Sequence, residues 1–366
     1  MGRRLFLEGG AAVAEAAITA GCRLFASYVI TPTTEIFEYM AKRMPEVGGY
    51  CMVPESELAA VNMVYGAGAA GARAMVASTS TGVSLMQENF CEMTRAEIPC
   101  VFVNMSRLAL QADYFQSCKG GGHGDYHMIV LAPETVQEAA DLTRLAFHLA
   151  DKYRNPVMLL GDHVLTHTRE TVEFTDEPED PLPPKTWAAT GAKGRDRNIV
   201  TYQHGPPEDF NGQVTALPMG MDFTPKWRSM EGNEVRVESW LMEDADYAVV
   251  CYGTVARFSR PAIKQARAEG IKVGLIRPIS LWPYPYSAIN KAAQRVKRFL
   301  VFELNCGQMV EDVKLAVNGK RPVSWFGKGV GDSSSLFTGF GAIFSSEDIL
   351  NNIKKLASPG KEATVR

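Results

Sequence analysis

Three short segments of this sequence place chemistry-bearing side chains where an apolar, strand-forming run gives way to a turn or a helix start. They are Thr31 in Tyr28-Val-Ile-Thr-Pro32, Glu57 in Pro54-Glu-Ser-Glu-Leu-Ala-Ala60 and Arg107 in Val103-Asn-Met-Ser-Arg107. In a parallel α/β sheet such positions gather at the carboxyl edge, where ligand sites form. The stretch around Glu57 is the most constrained. Pro54 and Ser56 sit where a helix would begin, and Glu55 and Glu57 fall in its first turn, where the macrodipole favours negative charge. The Ala- and Gly-rich run behind them permits close backbone approach. Two solvated first-turn glutamates are the ordinary outcome of such a pattern. The company of the other two segments makes Glu57 the expected working acid.

Other motifs carry less. Gly66-Ala-Gly-Ala-Ala-Gly71 matches the dinucleotide fingerprint, and Glu88 follows at about the 20-residue spacing that the fingerprint wants. These glycines, however, follow a helix and precede a strand, the reverse of the order that aims a helix N-terminus at a pyrophosphate. They read as close packing. His123-Gly-Asp-Tyr-His127 offers three potential metal ligands at alternate positions, but in a glycine-rich loop these read as hydrogen-bonding groups, and no metal ligand is assigned. No G-x-S-x-G elbow or recognisable triad supports hydrolase chemistry.

The elements that must position these residues repeat a βα pattern. Helices are expected at 9–20, 33–43, after Glu55, at 84–95 and at 134–153; strands at 24–30, 51–53, Arg73–Ser78, 100–104, 128–131 and 156–160. Residues 105–126 read as a long irregular segment. Residues 166–235, with Asp176-Glu-Pro-Glu-Asp-Pro-Leu-Pro-Pro184, lose periodicity and read as a linker wrapping over the surface. A second α/β unit follows, with strands at 247–251, 271–276 and 299–303 and a closing helix at 345–356. Apolar strands alternating with helices imply parallel sheets covered on both faces.

Bulk composition narrows the classes. The 366 residues, 46% hydrophobic, suffice for more than one core, and a net charge of −3 gives no case for nucleic acid or anionic membrane. Seven widely spread cysteines with no C-x-x-C pair encode neither a disulfide framework, a zinc knuckle nor an iron-sulfur cluster, and read as reduced thiols in a cytoplasmic protein. Glu8 and Gly9-Gly10 interrupt the apolar start too soon for a signal peptide, and no apolar stretch of about 18 residues occurs.

Taken with Ser80-Thr-Gly-Val-Ser-Leu-Met-Gln-Glu-Asn89, Asp113-Tyr-Phe-Gln116, Lys119-Gly-Gly-Gly-His-Gly-Asp125, Lys152-Tyr-Arg-Asn-Pro-Val157, Tyr252-Gly-Thr-Val-Ala-Arg257 and Ile276-Arg-Pro-Ile-Ser-Leu-Trp-Pro283, the three segments carry a family likeness. Over most of its length the chain resembles the α subunit of 2-oxoacid:ferredoxin oxidoreductases, especially the branched-chain 2-oxoacid (2-oxoisovalerate) type. The resemblance implies two doubly wound domains: a thiamine diphosphate pyrimidine-binding domain at 1–165 and a transketolase C-terminal-like domain at 236–366, joined by the 166–235 linker. It makes Glu57 the glutamate that hydrogen-bonds N1′ of the aminopyrimidine, Thr31 the polar contact beside the reacting carbon, and Arg107 the binder of the substrate carboxylate. A carboxylate at N1′ favours the imino tautomer, whose nitrogen then takes the thiazolium proton. A guanidinium fork suits a planar carboxylate.

The resemblance also implies what must come from elsewhere. The family's diphosphate and Mg2+ are held by Gly-Asp-Gly followed by asparagines, and Gly161-Asp-His163 is not that motif. A β subunit with the diphosphate half, a γ subunit and a ferredoxin-like subunit with 4Fe-4S clusters are therefore expected, in a dimer of heteromers that converts a 2-oxoacid and CoA to acyl-CoA and carbon dioxide. Val29 stands where relatives carry Pro, and Arg107 runs almost directly into Asp113 without the usual Gly/Pro-rich insert. The shorter loop implies a pocket for a bulky apolar side chain, branched or aryl, with phenylglyoxylate a candidate. The competing reading from another class is an inert scaffold or electron-transfer subunit that kept the fold and lost the chemistry.

Overall fold

The computed structural model describes residues 3–107, 110–174, 181–191, 201–202, 216–217, 223–327 and 343–358. In chain order the first half runs β1 (Arg3–Glu8), α1 (Gly9–Thr19), β2 (Cys22–Ala26), α2 (Thr34–Arg43), β3 (Tyr50–Met52), α3 (Glu57–Ala69), β4 (Arg73–Ser78), α4 (Ser80–Leu85) and α5 (Gln87–Arg95). It continues with β5 (Val101–Ser106), α6 (Tyr114–Cys118), β6 (Ile129–Leu131), α7 (Val136–Tyr153), β7 (Val157–Asp162), α8 (His163–His167) and β8 (Arg169–Phe174). Then come β9 (Thr201–Tyr202), β10 (Ala216–Leu217), α9 (Thr224–Asn233), β11 (Val237–Trp240), β12 (Tyr247–Val250), α10 (Gly253–Ala268), β13 (Val273–Pro278) and β14 (Ser280–Trp282). The last are α11 (Tyr286–Ala292), β15 (Arg298–Glu303), α12 (Met309–Val317), β16 (Val323–Gly327) and α13 (Ser346–Ala357).

Two main sheets result. The first has strand order β14-β6-β7-β5-β4-β2-β3, parallel except for its edge strand β14; the second has order β11-β13-β12-β15-β16, parallel except for β11. Both are doubly wound. Period-2 alternation shows why the first is covered on both faces: Ala74 and Val76 of β4 join the apolar cluster with Val61, Val64 and Phe90, while Met75 and Ala77 join Val13, Ile36 and Val136 on the opposite face. The small residues of α1 let it lie between α2, α7 and α8, and a methyl group at Gly9 would collide with the Leu165 carbonyl. No helix among the described residues is long and apolar enough to cross a membrane.

Several elements differ from the sequence expectation. The strand expected over 24–30 stops at Ala26, and the chain turns on hydrogen bonds from the Thr33 amide and hydroxyl to the Ile30 carbonyl. The helix expected over 84–95 is two helices meeting at the buried Met86. β1, where no element is expected, pairs antiparallel with β8, and its outward Phe6 and paired arginines hide the alternation. Much of the expected 166–235 linker lies outside the described residues, but its described part holds β8 and α9, whose Met230 is buried against the first sheet's core. The segment 280–282, beyond that linker, returns to the first sheet as β14.

Buried polar contacts join the two units. Arg277 on β13, 3% exposed, donates to both oxygens of Glu138 on α7 at 2.7 and 2.8 Å and to Glu238 on β11 at 2.8 Å. Arg260 bridges Glu134 and Glu238, each at 2.7 Å. Asp162 caps α8 through the Leu165 amide and accepts from the hydroxyl of Thr254 at the start of α10. Burial pushes the Asp162 carboxyl up to about 6, against the hydrogen bonds that pull it down. An unfolded chain releases that proton near pH 4. Between about pH 4 and pH 6 the folded state therefore holds a proton that the unfolded state has lost, and stability falls as pH rises through that window. Asp162→Asn keeps the cap and removes the titration. Denaturant midpoints of the two chains at pH 4 and pH 7 are expected to diverge, the variant gaining by up to about 3 kcal/mol, which is the rise from 3.8 to about 6 converted at about 1.4 kcal/mol per unit.

Candidate active site

In an open α/β sheet the binding crevice lies at the carboxyl ends of the strands where the strand order turns back. In the first sheet the chain goes from β2 outward to β3 and then crosses to β4 on the other side, which puts that point between β2 and β4. Thr31 follows β2, Glu57 follows β3 and Arg107 follows β5, so all three expected site residues lie at this edge.

Glu57 is the first residue of α3, behind the N-cap Ser56, whose hydroxyl accepts the Ala59 amide at 3.2 Å. The cap fixes the helix start, and the carboxylate turns inward, 7% exposed. It lies against the end of β4 and the first turn of α4. A methyl group at Gly82 would stand 2.5 Å from Glu57 Oε1 and still closer to Ser78 Oγ, so only glycine fits there. Ser78 Oγ is buried with no hydrogen-bond partner, an orphaned donor beside the carboxylate.

Thr31 and Arg107 meet directly: the guanidinium Nη1 donates to the Thr31 carbonyl at 3.2 Å, while Nε is buried without a partner. The Thr31 side chain itself is exposed. Neither residue contacts Glu57 directly; what they share with it is the sheet edge. Asp113 ties that edge together, one carboxylate oxygen accepting from Ser106 Oγ at 2.6 Å and Ser80 Oγ at 2.8 Å, which joins the end of β5 to the start of α4.

The segment after Arg107 is held by the second unit. In the second sheet the order turns back between β12 and β15, and Gln111 occupies that crevice. Its Nε2 donates to the Tyr252 carbonyl at 3.0 Å, its Oε1 accepts the Leu304 amide at 3.0 Å, and its own carbonyl accepts Asn305 Nδ2 at 2.9 Å. The Phe115 amide donates to Gln308 Oε1, and Asp312 accepts from Tyr114 Oη at 2.7 Å and Lys119 Nζ at 2.6 Å. Leu108 and Ala109, part of the expected short loop, lie outside the described residues.

Ser78, Gly82, Gln111 and Asp113 are absent from the sequence-derived site. Gly82 and Asp113 lie inside two of the motif runs, which flags them without a role; Ser78 and Gln111 carry no local signal. His123, Asp125 and His127 do not converge, since His127 stacks on Trp282 at 4.5 Å between ring centres while His123 sits on α5. In Gly161-Asp-His163 the glycine and aspartate are buried in the junction, with Asp162 committed to Thr254 and the Leu165 amide.

Comparison with known proteins gives the family. Residues 15–204 match the family model for pyruvate flavodoxin/ferredoxin oxidoreductase, thiamine diphosphate-binding, and residues 245–336 that for pyruvate:ferredoxin oxidoreductase core domain II. The ketoisovalerate oxidoreductase subunit VorB of Methanothermobacter marburgensis is 40% identical over 97% of this chain and 99% of its own length. The 2-oxoglutarate synthase subunit KorA of Methanothermobacter thermautotrophicus is 34% identical over 97% of this chain and 100% of its own. The structure of 2-oxoglutarate:ferredoxin oxidoreductase from Magnetococcus marinus, with 2-oxoglutarate, coenzyme A and succinyl-CoA bound, superposes with a TM-score of 0.79 at 25% identity; it covers 96% of this chain, which spans 65% of that one. With near-full-length relatives at this identity, the chain belongs to the 2-oxoacid:ferredoxin oxidoreductase family.

Proposed function

We propose that this chain is the α subunit of a thiamine diphosphate-dependent enzyme that decarboxylates a 2-oxoacid oxidatively and transfers the acyl group to CoA, and that Glu57 is its activating acid. The observation that carries the reading is Glu57 itself: a buried carboxylate at a sheet switch point, packed close to Gly82 and near the orphaned Ser78 hydroxyl. Such a cradle fits one edge of an aminopyrimidine. When bound, thiamine diphosphate supplies the carbon nucleophile and electron sink that side chains lack.

This chain's residues divide the remaining work. With the ring bound, Glu57 would hydrogen-bond N1′ and so favour proton uptake at the exocyclic nitrogen. Gly82 leaves room for the carboxylate to keep that position. Arg107, anchored by one N–H on the Thr31 carbonyl, retains donors for the substrate carboxylate, and its buried unpartnered Nε is consistent with a ligand completing it. Thr31 stands beside the reacting carbon.

The diphosphate finds no cradle in the described residues, since Asp162 is spent on the junction. We assign that half, with Mg2+, to a β subunit, and the electron path to γ and ferredoxin-like subunits with 4Fe-4S clusters in a cytoplasmic dimer of heteromers. Tyr28, Val29, Met52, Val53, Leu58 and Leu85 are exposed on the segments that carry or adjoin Glu57 and Thr31. Such concentrated apolar exposure suits a surface that another chain covers.

For substrate we propose a bulky apolar 2-oxoacid, branched-chain or aryl such as phenylglyoxylate. No basic residue follows Arg107 until Lys119, and Lys119 is paired with Asp312 at 2.6 Å, so this segment offers no counter-ion to a second carboxylate. Turnover by the assembled complex is expected to rank 2-oxoisovalerate or phenylglyoxylate above 2-oxoglutarate; the reverse order defeats the substrate reading. Glu57→Gln, nearly isosteric, should lower kcat by about 10²- to 10⁴-fold with the complex intact. An unchanged rate would favour an inert scaffold. Gly82→Ala, which forces the carboxylate aside, should cost about 10²-fold in kcat/KM and about 1–3 kcal/mol of stability, read by steady-state kinetics and denaturant midpoints.

A further inference from the structure

The glycine-rich loop after Lys119 lies across α5 on hydrogen bonds made by Tyr126, whose hydroxyl accepts the Gly121 and Gly122 amides at 2.9 and 3.0 Å and donates to Gln87 Oε1 at 3.2 Å. A methyl group at Gly122 would stand 2.6 Å from the Gln87 carbonyl and 3.0 Å from Cys91 Sγ, so the bare backbone is what lets the loop settle on the helix. That contact delivers His123 to two residues of α5. Its Nδ1 is 3.3 Å from Cys91 Sγ, and its Nε2 is 3.1 Å from Glu92 Oε1.

The two ring nitrogens face different partners, and the Cys91 thiol also lies 2.8 Å from the Glu88 carbonyl. With Nε2–H donated to the Glu92 carboxylate, the Nδ1 lone pair is turned to the sulfur. A metal-ligating histidine is held in this way, one nitrogen to the ion and the other to an outer carboxylate. Zinc bonds of about 2.3 Å to sulfur and 2.0–2.1 Å to nitrogen at a tetrahedral angle put the two ligand atoms about 3.6 Å apart. The observed 3.3 Å needs only a few tenths of an ångström of opening. Cys91 is buried, which closes it to bulky thiol reagents, while the His123 side chain is 54% exposed and leaves an entry for a small ion and its waters. Burial holds the Cys91 thiol above its usual range despite the smaller pull of Arg95, one turn on, whose charge also opposes the cation. The site suits a thiol-seeking divalent ion better than a hard one.

We propose that Cys91 and His123 bind a thiophilic divalent cation of the Zn2+ class, with Glu92 orienting the imidazole and water completing the coordination. On binding, the Cys91 thiol proton leaves to solvent, sulfur–metal and nitrogen–metal bonds form, and no electrons change hands. The ion pins the glycine-rich loop to α5. Because Lys119 at the loop's base is paired with Asp312, the same ion ties α5 to the second unit.

The test uses the full-length, reduced, metal-free chain carrying Cys306→Ser, since Cys306 is the exposed thiol. Co2+ titration should give a thiolate-to-cobalt charge-transfer band that saturates at equimolar metal and is displaced by Zn2+. Cys91→Ser should abolish the band, and Glu92→Gln should weaken binding about 10- to 100-fold. His123→Gln changes a half-exposed loop residue and leaves the core untouched; Zn2+ should raise the thermal midpoint of the parent and not of this variant. No band in the parent, a band that survives Cys91→Ser, or an equal Zn2+ shift in the His123 variant would each overturn the site and leave Cys91–His123 as a hydrogen bond alone.

Discussion

One side chain, Gln111, carries the site-bearing segment of the first half into the crevice of the second. Each sheet has one crevice where its strand order turns back, and the chain contains two such sheets. The first crevice gathers Glu57, Ser78 and the Thr31–Arg107 contact. The second is filled from within, by a glutamine whose amide satisfies the ends of β12 and β15 and whose carbonyl is taken by Asn305. The fold position where an open α/β domain would bind a ligand is thus used to grip Gln111, four residues beyond Arg107. Without that grip, the long connection from β5 to β6 would be the sort of excursion that loops of its length usually become. With it, the connection runs between two rigid sheets.

The junction that supports this grip is polar, and its energetics bear on geometry more than on net stability. Replacing a buried ion pair by apolar groups is often neutral or stabilising, whereas removing one partner costs about 3–5 kcal/mol. Arg277, with Glu138, Glu238 and Glu134 around it and Arg260 sharing two of them, has nearly all its donors directed. An apolar interface tolerates sliding; a fork bound to both oxygens of Glu138 does not. The relative placement of the two units, and with it the direction of the segment through Gln111, is therefore set by directional contacts. Asp113 serves the same end on a smaller scale, since two hydroxyls from different elements must meet one oxygen.

The parts of this architecture legible in the sequence are those with local causes. β4 falls on the expected Arg73–Ser78 because Gly71 and the Thr79-Ser80 turn bound it, and α3 starts where Ser56 caps it. That Glu57, Thr31 and Arg107 share one sheet edge is legible because strand ends are local signals and a parallel sheet gathers them. What was not legible depends on partners far along the chain. β1 needs β8, about 160 residues on, to be a strand at all, a separation visible in the Glu8–Arg169 pair. β14 joins the first sheet from the far side of the linker. Ser78 and Gly82 acquire meaning only when β3 and β4 are placed on either side of β2, and Gln111 only when a second sheet supplies a crevice. A serine at a strand end and a glutamine in an irregular segment are otherwise unremarkable residue types.

What surrounds Glu57 suits the proposed division of labour between chains. The carboxylate is already nearly dry in the chain alone, yet the segments around it expose apolar side chains from four different elements or loops, Tyr28 and Val29 after β2, Val53 after β3, Leu58 on α3 and Leu85 on α4. Covering those side chains removes the last water from the acid's neighbourhood, and electrostatic and hydrogen-bonding interactions strengthen as the local dielectric falls. A shared proton at Glu57 is therefore worth most when the rim is covered. In the reading proposed here the polypeptide that covers it also brings the phosphate-holding half, so the acid reaches its working environment at the same event that delivers the group it acts on. On that reading, burial of the acid and capture of the cofactor become one step.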